Sequence, residues 1–376
     1  MDRTVKPLLR GLKYGSFDFP SRIVMAAMTR CRADYKTSVP NDLHVQYYSQ
    51  RANGAAFILT ECTHISSRGN SFPGACGIST SDQVEGWKRV TDAVHKNDGR
   101  IFLQIWHGGR QGHPDILNGQ NPVGPSPIAV RGKCRTFKGL ADYPVPEELT
   151  EGGINEILDQ FRIGAENALK AGFDGIQLHG ANGYIVDQFF RDCSNKRSDK
   201  YGGNVRNRAR FALEVIDILV NVFGKDKVGI KLSPVSRYGD MFDSNPIENY
   251  SYLVNELDKK GIMFIEFVEP PEFVTVTDHY GIKGENQIPN VCKVFRPLFR
   301  NLIIGNNNFT FETGNQKVEY KDADMISYGK LFISNPDLVE RFRNNWELTK
   351  PELRYFYSGT EKGYSDYPRY SPAHKL

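Results

Sequence analysis

The sequence has 376 residues, of which 39% are hydrophobic, 12% aromatic and 24% charged, with a formal net charge of +4. This composition is typical of a globular protein with a sizeable core, and the small charge without a basic block argues against a nucleic-acid or membrane role. No apolar run is long enough for a membrane helix and the first residues lack the apolar segment of a secretory signal, so we expect a cytoplasmic protein.

Eight short runs of apolar and β-branched residues recur along the chain and predict β-strands. Patterns with a helical period separate these runs from one another. Eight strands that alternate with helices predict an α/β fold, a closed parallel (β/α)8 TIM barrel, as a single domain over residues 1–376. The predicted strands lie at residues 23–27, 56–60, 101–106, 174–178, 228–232, 263–268, 302–304 and 325–328.

Six predicted helices are marked by apolar residues at helical spacing. Thr150 is the expected N-cap of the second helix, and Gly172 follows its last turn as a stop signal. Gly224 and Gly261 mark the ends of the third and fourth helices in the same way. We expect Asn335 and Pro336 to begin the last helix. The apolar patterns of the six lie at residues 84–94, 154–169, 211–222, 253–257, 291–298 and 335–346.

The longest connection is at residues 108–148, where glycine, proline and mixed polar residues persist. Connections of this length in compact domains are usually functional. Because it follows the third predicted strand, we expect a lid-like excursion above the C-terminal mouth of the barrel. We expect it to contain a short hairpin and to form part of the substrate entrance.

Six cysteines lack the close spacing of zinc or iron–sulfur sites, and we expect reduced thiols that are mostly packed, with no metal. The chain's last three residues, His-Lys-Leu, are faintly similar to the peroxisomal signal Ser-Lys-Leu, and an ordinary tail is the alternative. The cysteines are Cys31, Cys62, Cys76, Cys134, Cys193 and Cys292.

Polar residues follow several predicted strands, at the rim where barrel enzymes carry their active sites. The fourth strand runs into His179, Asn182 and Tyr184, at spacings of three and two residues. Two neutral hydrogen-bond donors and a phenol suit polarising a carbonyl oxygen and delivering a proton, while a loop with capping polar residues is the alternative. The groups at the other strand ends suit a flat ring with imide edges and a phosphate tail, which describes flavin mononucleotide (FMN). These groups are Thr29, Gln104, Lys231, residues 305–308, Gly329 and Lys330.

Five motifs occur in one order from the first predicted strand to the C-terminal region. They are Met25-Ala-Ala-Met-Thr-Arg30, Phe102-Leu-Gln-Ile-Trp-His107, His179-Gly-Ala-Asn-Gly-Tyr184, residues 195–203 with 207–211, and Ser334-Asn-Pro-Asp-Leu338. The set resembles the old yellow enzyme family over nearly the whole chain. This resemblance implies a flavoprotein oxidoreductase that uses FMN, takes hydride from NADPH or NADH, and reduces the C=C bond of α,β-unsaturated carbonyl or nitro compounds.

The resemblance also implies roles for individual residues. His179 and Asn182 would hydrogen-bond the substrate oxygen, and Tyr184 would protonate the α carbon. Trp106 and His107 are expected to be walls of the pocket. Non-covalent FMN would be bound by Ala27, Met28, Thr29, Cys62, Gln104, His179, Lys231, Asn307, Asn308, Gly329, Lys330 and Phe356.

Within that set, the resemblance gives each end of the cofactor its own residues. Thr29 would donate to the flavin O4, Gln104 would contact the pyrimidine edge, and Lys231 would lie near N1 and O2. The residues after the seventh and eighth strands would hold the phosphate. Lys231 and Lys330 stand where the family most often has arginine, and an ammonium lacks the bidentate grip of a guanidinium.

Two other classes of function are open at this point. One is a flavin or lipid binding protein with little turnover. The other is a metal-dependent barrel hydrolase, but the histidines lack His-x-His spacing and carboxylate partners. As partners we expect a small-molecule enone and no nucleic acid or membrane, in a monomer or homodimer.

Overall fold

The computed structural model describes residues 5–270 and 288–372, and its centre is a closed barrel of eight parallel strands. Each strand pairs with its neighbours in chain order, and the last pairs with the first. The predicted barrel is therefore confirmed. Its strands are β1 (Ile23–Met25), β2 (Ile58–His64), β3 (Ile101–Trp106), β4 (Gly175–Gly180), β5 (Val228–Leu232), β6 (Phe264–Val268), β7 (Leu302–Asn306) and β8 (Met325–Tyr328).

Some strand bounds differ from the prediction. Strand β2 begins two residues later and continues to His64, and a bulge between Leu59 and Cys62 shifts its register against β3. Strand β4 begins one residue later than predicted and continues to Gly180 at the rim. Both strands therefore extend farther than predicted toward the rim that carries the cavity.

An N-terminal hairpin, which the sequence patterns did not reveal, covers the opposite end of the barrel. Its strands are Leu12–Tyr14 and Phe17–Phe19. Phe17 packs on Phe102 and Phe19 on Phe57, with ring centroids 5.7 Å apart in both pairs. Phe102 and Phe57 lie where β3 and β2 start. Burial of these rings closes the amino-terminal end of the barrel with an apolar plug.

Helices cover the outside of the barrel, and most apolar residues predicted for the longer ones are buried against it, whereas Leu169 is exposed. The expected cap is confirmed, since Thr150 accepts a hydrogen bond from the backbone N–H of Gly153. Among the described residues the α-helices are α1 (Asp42–Gln50), α2 (Ser81–His95), α3 (Glu151–Lys170), α4 (Ile185–Phe190), α5 (Val205–Phe223), α6 (Pro246–Lys260), α7 (Val291–Phe295), α8 (Phe311–Glu319), α9 (Lys330–Ser334) and α10 (Leu338–Asn344). None of them combines the length and hydropathy of a membrane-crossing helix.

Two predicted helices have different bounds in the structure. Asn335 does not begin a helix: it follows α9, and its side chain donates to the carbonyls of Leu331 and Thr349. The α-helix predicted to reach residue 298 ends at Phe295, because Pro297 lacks the N–H that a further turn would need. The short helices α1, α4, α8 and α9 were not predicted, since too few turns are present to establish a period.

The excursion after β3 has its own small strands. Lys133–Thr136 and Gly139–Asp142 form the expected antiparallel hairpin, and Val123–Gly124 pairs with Glu147–Glu148. Arg131 forms an ion pair with Asp240, which follows β5, with a distance of 2.8 Å. The excursion is therefore tied to the neighbouring rim of the barrel. The His-Lys-Leu tail, which was compared with a peroxisomal signal, lies outside the described residues.

A substitution at Gly229 tests the packing inside the barrel. A Cβ atom added to Gly229 on β5 would lie 2.3 Å from the Phe264 ring on β6. Because the strands cannot separate without breaking their ladder, we expect Gly229→Ala to lower the free energy of unfolding by about 1–3 kcal/mol. Urea unfolding followed by circular dichroism measures this change.

The matched control is Gly152→Ala, in the exposed first turn of α3. Its new Cβ would meet only the Thr150 hydroxyl, at 3.6 Å. Alanine is the better helix former, so this variant should be as stable as the parent or slightly more stable. Equal stability of the two alanine variants would contradict the packing described for β5 and β6.

Candidate active site

A cavity of about 820 Å³ opens at the C-terminal ends of the strands, within the range of small-molecule and cofactor sites. Every residue predicted for catalysis or for cofactor binding lines it. The structure thus brings together side chains that lie up to 329 positions apart in the sequence. The lining includes Ala27, Met28, Thr29, Cys62, Gln104, His179, Asn182, Tyr184, Lys231, Asn307, Asn308, Gly329, Lys330 and Phe356.

The end of β4 places a neutral imidazole on the cavity wall. His179 is buried, and burial together with the Lys231 charge lowers its pKa to about 3. The backbone N–H of Ala181 donates to Nδ1 at 3.4 Å, so Nε2 carries the ring proton. His179 is therefore a neutral hydrogen-bond donor at pH 7.

The loop after β4 holds Asn182 in a left-handed backbone conformation, with φ +57°. Its backbone N–H donates to the Ser233 hydroxyl, and its carbonyl accepts from the Gln111 amide, each at 2.8 Å. Asparagine tolerates this conformation better than most residues. These bonds fix the loop from both sides and present the Asn182 side chain to the cavity.

Tyr184 lies at the start of α4, and only 5% of its surface is exposed. Its ring stands nearly perpendicular to those of His179 and Trp106, with centroids 4.8 and 5.2 Å away. Burial raises the pKa of the Tyr184 hydroxyl well above its usual value, and the neighbouring Tyr238 raises it further. The phenol therefore keeps its proton at neutral pH and can deliver it.

The prediction for Trp106 and His107 was wrong, because neither lines the cavity. Trp106 lies behind Phe72 and Tyr184, and stacks on the Phe72 ring at 5.9 Å. His107 faces Gly69 and accepts a hydrogen bond from a backbone N–H in its own loop. Both residues support the wall from behind, and Phe72, from the connection after β2, takes the place expected for Trp106.

A chain of hydrogen bonds lies beneath the cavity. Gln104 donates to Gln177 at 2.7 Å, and Gln177 donates to Glu266 at 2.7 Å. Lys231 donates to Glu266 at 3.3 Å and to Asn306 at 3.0 Å. Gln177 and Glu266 were not predicted as site residues, and Asn306 was predicted only as one of residues 305–308. Single polar residues at inward positions of otherwise apolar strands are the signal that could have revealed the first two.

The bulge in β2 brings Cys62 against Thr29. Their Oγ1 and Sγ atoms are 2.6 Å apart. Burial raises the pKa of the Cys62 thiol to about 12, so it stays protonated. A thiol and a hydroxyl are thus available side by side at one edge of the cavity.

The far end of the cavity is shaped for an anion. Asn307 and Asn308 follow β7 with φ of +92° and +55°, which exposes a turn of backbone. Lys330, exposed after β8, forms no hydrogen bond or ion pair with the residues that the structure describes. A cation beside small-residue loops after strands seven and eight suits a phosphate group.

The C-terminal segment supplies the wall at Phe356. The guanidinium groups of Arg30 and Arg32 both donate to the Phe356 carbonyl, at 3.0 and 2.8 Å. The Arg32 guanidinium also lies 4.6 Å above the Tyr364 ring, which stacks on Tyr47 at 4.0 Å. These contacts attach the segment to the end of β1.

The donor set fits FMN in kind. The cavity lining includes an amide, an ammonium, a hydroxyl beside a thiol, and a second ammonium without a partner among the described residues. Apolar groups such as Met28 and Phe356 line it as well. This distribution matches a ring with polar edges and apolar faces, joined to a phosphate.

The chain is similar to flavin oxidoreductases of known sequence. A model of the NADH:flavin oxidoreductase / NADH oxidase family matches residues 7–349. The flavin oxidoreductase hxnT of Emericella nidulans is 38% identical over 97% of this chain and 98% of that protein. The putative 12-oxophytodienoate reductase 2 of Oryza sativa subsp. japonica is 40% identical over 96% of this chain and 94% of that protein.

Solved structures show the same similarity. An old yellow enzyme homologue from Zymomonas mobilis is 37% identical with a TM-score of 0.90, covering 96% of this chain and 99% of that chain. Morphinone reductase in complex with tetrahydroNAD is 36% identical with a TM-score of 0.89, and the match covers 98% of this chain and 99% of that chain. The family that the motifs predicted is therefore confirmed.

Three buried histidines at the strand ends predict that acid destabilises the protein. Burial lowers the pKa of His64 to about 4 and those of His107 and His179 to about 3. In the unfolded chain each has its ordinary pKa near 6.5, so between about pH 6.5 and 4 only the unfolded state takes up these protons. Each histidine should therefore lower the free energy of unfolding by up to about 1.4 kcal/mol per pH unit of acidification.

His64→Phe isolates one of these contributions, because His64 does not line the cavity. Urea unfolding at pH 7, 6 and 5 should give a shallower dependence on pH for this variant, by about one proton. A slope identical to that of the parent protein would show that His64 is not held neutral in the folded state.

Proposed function

The chain belongs to the NADH:flavin oxidoreductase / NADH oxidase family, which includes the old yellow enzymes, and from this we propose that it is an FMN-dependent ene-reductase. It would take hydride from NADPH or NADH and reduce the C=C bond of an α,β-unsaturated carbonyl or nitro compound. The observation that carries the proposal is the placement of two neutral donors, His179 and Asn182, beside the protonated Tyr184 on one cavity wall. The complex of morphinone reductase with tetrahydroNAD supports a nicotinamide donor.

Non-covalent FMN, when bound, supplies hydride transfer from the nicotinamide to the alkene. Thr29, Gln104 and Lys231 would hold its ring, with Ala27, Met28 and Cys62 beside it and Phe356 at its rim. The phosphate would lie against Lys330 and the loops after β7 and β8. Lys231 is buried and paired with Glu266, whereas Lys330 is exposed after β8, and this difference supports the division.

His179 and Asn182 would bind the oxygen of the substrate. An alkene accepts hydride only when a conjugated carbonyl or nitro group takes up the negative charge, and hydrogen-bond donors stabilise that charge as it develops. The low pKa of His179 keeps its imidazole neutral, so the donor is the Nε2 proton throughout the physiological range. A neutral donor also leaves the proton transfer to a different group.

Tyr184 is our proposed proton donor to the α carbon. It is a buried phenol that lines the same cavity, and its ring contacts that of His179. A proton donor must lie within reach of the reacting carbon while the oxygen stays bound to the other two groups. The shared loop from β4 to α4 supplies all three at fixed spacing.

We also propose that residues 108–148 form a lid-like part of the substrate entrance of a single-domain enzyme. The ion pair between Arg131 and Asp240 joins this excursion to the loop that carries Tyr238, which lines the cavity. The pKa of Tyr143 in the excursion is raised by burial and by Tyr238. The excursion is thus in contact with the mouth of the cavity.

The first test is spectroscopic. The purified protein should be yellow, release FMN on denaturation, be bleached anaerobically by NADPH or NADH, and be reoxidised by 2-cyclohexenone. A colourless protein that gains no flavin spectrum on addition of FMN would contradict the proposal. Bound flavin that no enone or nitroalkene reoxidises would instead favour a flavin-binding protein with little turnover.

The second test removes the proposed acid. Tyr184→Phe should slow reoxidation by cyclohexenone by a factor of about 10² or more, while reduction by the nicotinamide is nearly unchanged, because only the alkene step needs a proton. Stopped-flow absorbance separates the two half-reactions. Tyr201→Phe, outside the cavity, is the control and should leave both rates intact. Normal reoxidation in Tyr184→Phe would mean that another group or water supplies the proton.

A further inference from the structure

Glu266 is a fully buried carboxylate that none of the proposed steps uses. It lies on β6, where it is the register partner of Lys231 on β5. Its Oε1 accepts from Lys231 at 3.3 Å and from the Ser327 hydroxyl at 2.6 Å. Its Oε2 accepts from Gln177 at 2.7 Å. Both oxygens of the carboxylate are therefore directed at groups that lie under the cavity.

The carboxylate fixes the direction of a chain of amides. An ionised carboxylate can only accept hydrogen bonds, so Gln177 must present its NH₂ group to Glu266 and its oxygen to Gln104. That oxygen also only accepts, so Gln104 must present its NH₂ group to Gln177, at 2.7 Å. Oε1 of Gln104 is then free to accept a hydrogen bond from a group in the cavity. The imide N–H of a flavin would be a suitable donor to it.

Glu266 also compensates the charge of Lys231. Lys231 is 5% exposed and Glu266 is not exposed at all, so water screens the pair weakly. The remaining contact of the ammonium is to Asn306, whose amide is in turn bonded to Ser327. From the sequence alone, Lys231 was expected to be a cation beside the flavin without a partner. In the structure it forms an ion pair with Glu266, and the two charges sum to zero.

We propose that Glu266 is a positioning residue with two effects: it sets the reduction potential of the bound flavin by compensating Lys231, and it supports FMN binding by orienting Gln104 through Gln177. The inference rests on the FMN site proposed above. Reduction adds negative charge to the ring, and an uncompensated cation below it favours that charge. Glu266 therefore holds the potential below the value that Lys231 alone would give.

The test is a cycle of variants measured as FMN complexes. Glu266→Gln should raise the reduction potential, with the equilibrium constant for reduction at least tenfold higher, which is about 30 mV for a two-electron couple. Lys231→Met should lower the reduction potential. The potential of the double variant should be close to that of the parent protein, because both charges are gone.

Gln177→Leu separates orientation from charge. It leaves the ion pair intact and removes the partner of Gln104, so it should weaken FMN binding severalfold and move the potential little. FMN dissociation constants from fluorescence quenching measure this effect. A Gln177→Leu variant with the parent's FMN affinity would overturn the orienting role.

The matched control is Glu269→Gln, near the end of the same strand. Glu269 is also buried and ion-paired, with Lys317 at 3.0 Å, and it does not line the cavity. Its loss should lower stability without shifting the potential. An equal shift in Glu269→Gln and Glu266→Gln would mean that any buried charge has the effect.

An unchanged potential in a Glu266→Gln variant that still binds FMN overturns the compensating role. If that variant fails to fold, the double variant decides: a potential equal to that of Lys231→Met alone would show that Glu266 contributes nothing. Failure of the parent protein to bind FMN would instead overturn the proposed function, which keeps the two results distinct.

Discussion

The pairing of β8 with β1 is the constraint on which the site depends. The backbone N–H of Ala26 donates to the Tyr328 carbonyl, and that of Ile326 to the Arg22 carbonyl, each at 3.0 Å. Because this pairing closes the barrel, all eight parallel strands end on one rim. Residues near positions 29, 104, 179, 231, 307 and 330 therefore meet there as a consequence of topology.

The same topology explains what could be predicted from the sequence. The alternation of strands and helices gave the barrel, and side chains that follow strands were expected at one rim, where the structure places Lys231 and Asn307. The depth of side chains within the barrel could not be predicted. Trp106 has the inward parity of Gln104, but Phe72, from a distant connection, covers it. The partner of Lys231 was equally hidden, because it depends on the register between β5 and β6.

The site combines neutral hydrogen-bonding side chains with an ion pair. His179 is neutral because of its low pKa, and Tyr184 and Cys62 keep their protons because burial raises theirs. Lys231 lines the cavity, and its charge is offset by Glu266, which does not line it. Such a surface receives an uncharged, polarisable molecule without repelling it and still supplies dipoles where charge develops. Anionic groups are favoured only at the far end, beside Lys330.

The attachment of the C-terminal segment by Arg30 and Arg32 has a consequence for biosynthesis. These guanidinium groups are buried, and several of their acceptors are carbonyls between Tyr355 and Gly363. While the ribosome has made only the barrel, both arginines lack these acceptors and the cavity lacks its Phe356 wall. Buried cations without acceptors are costly, so this part of the rim cannot settle early. The cofactor pocket is therefore completed only after residues 355–363 have left the ribosome, later than the eighth strand.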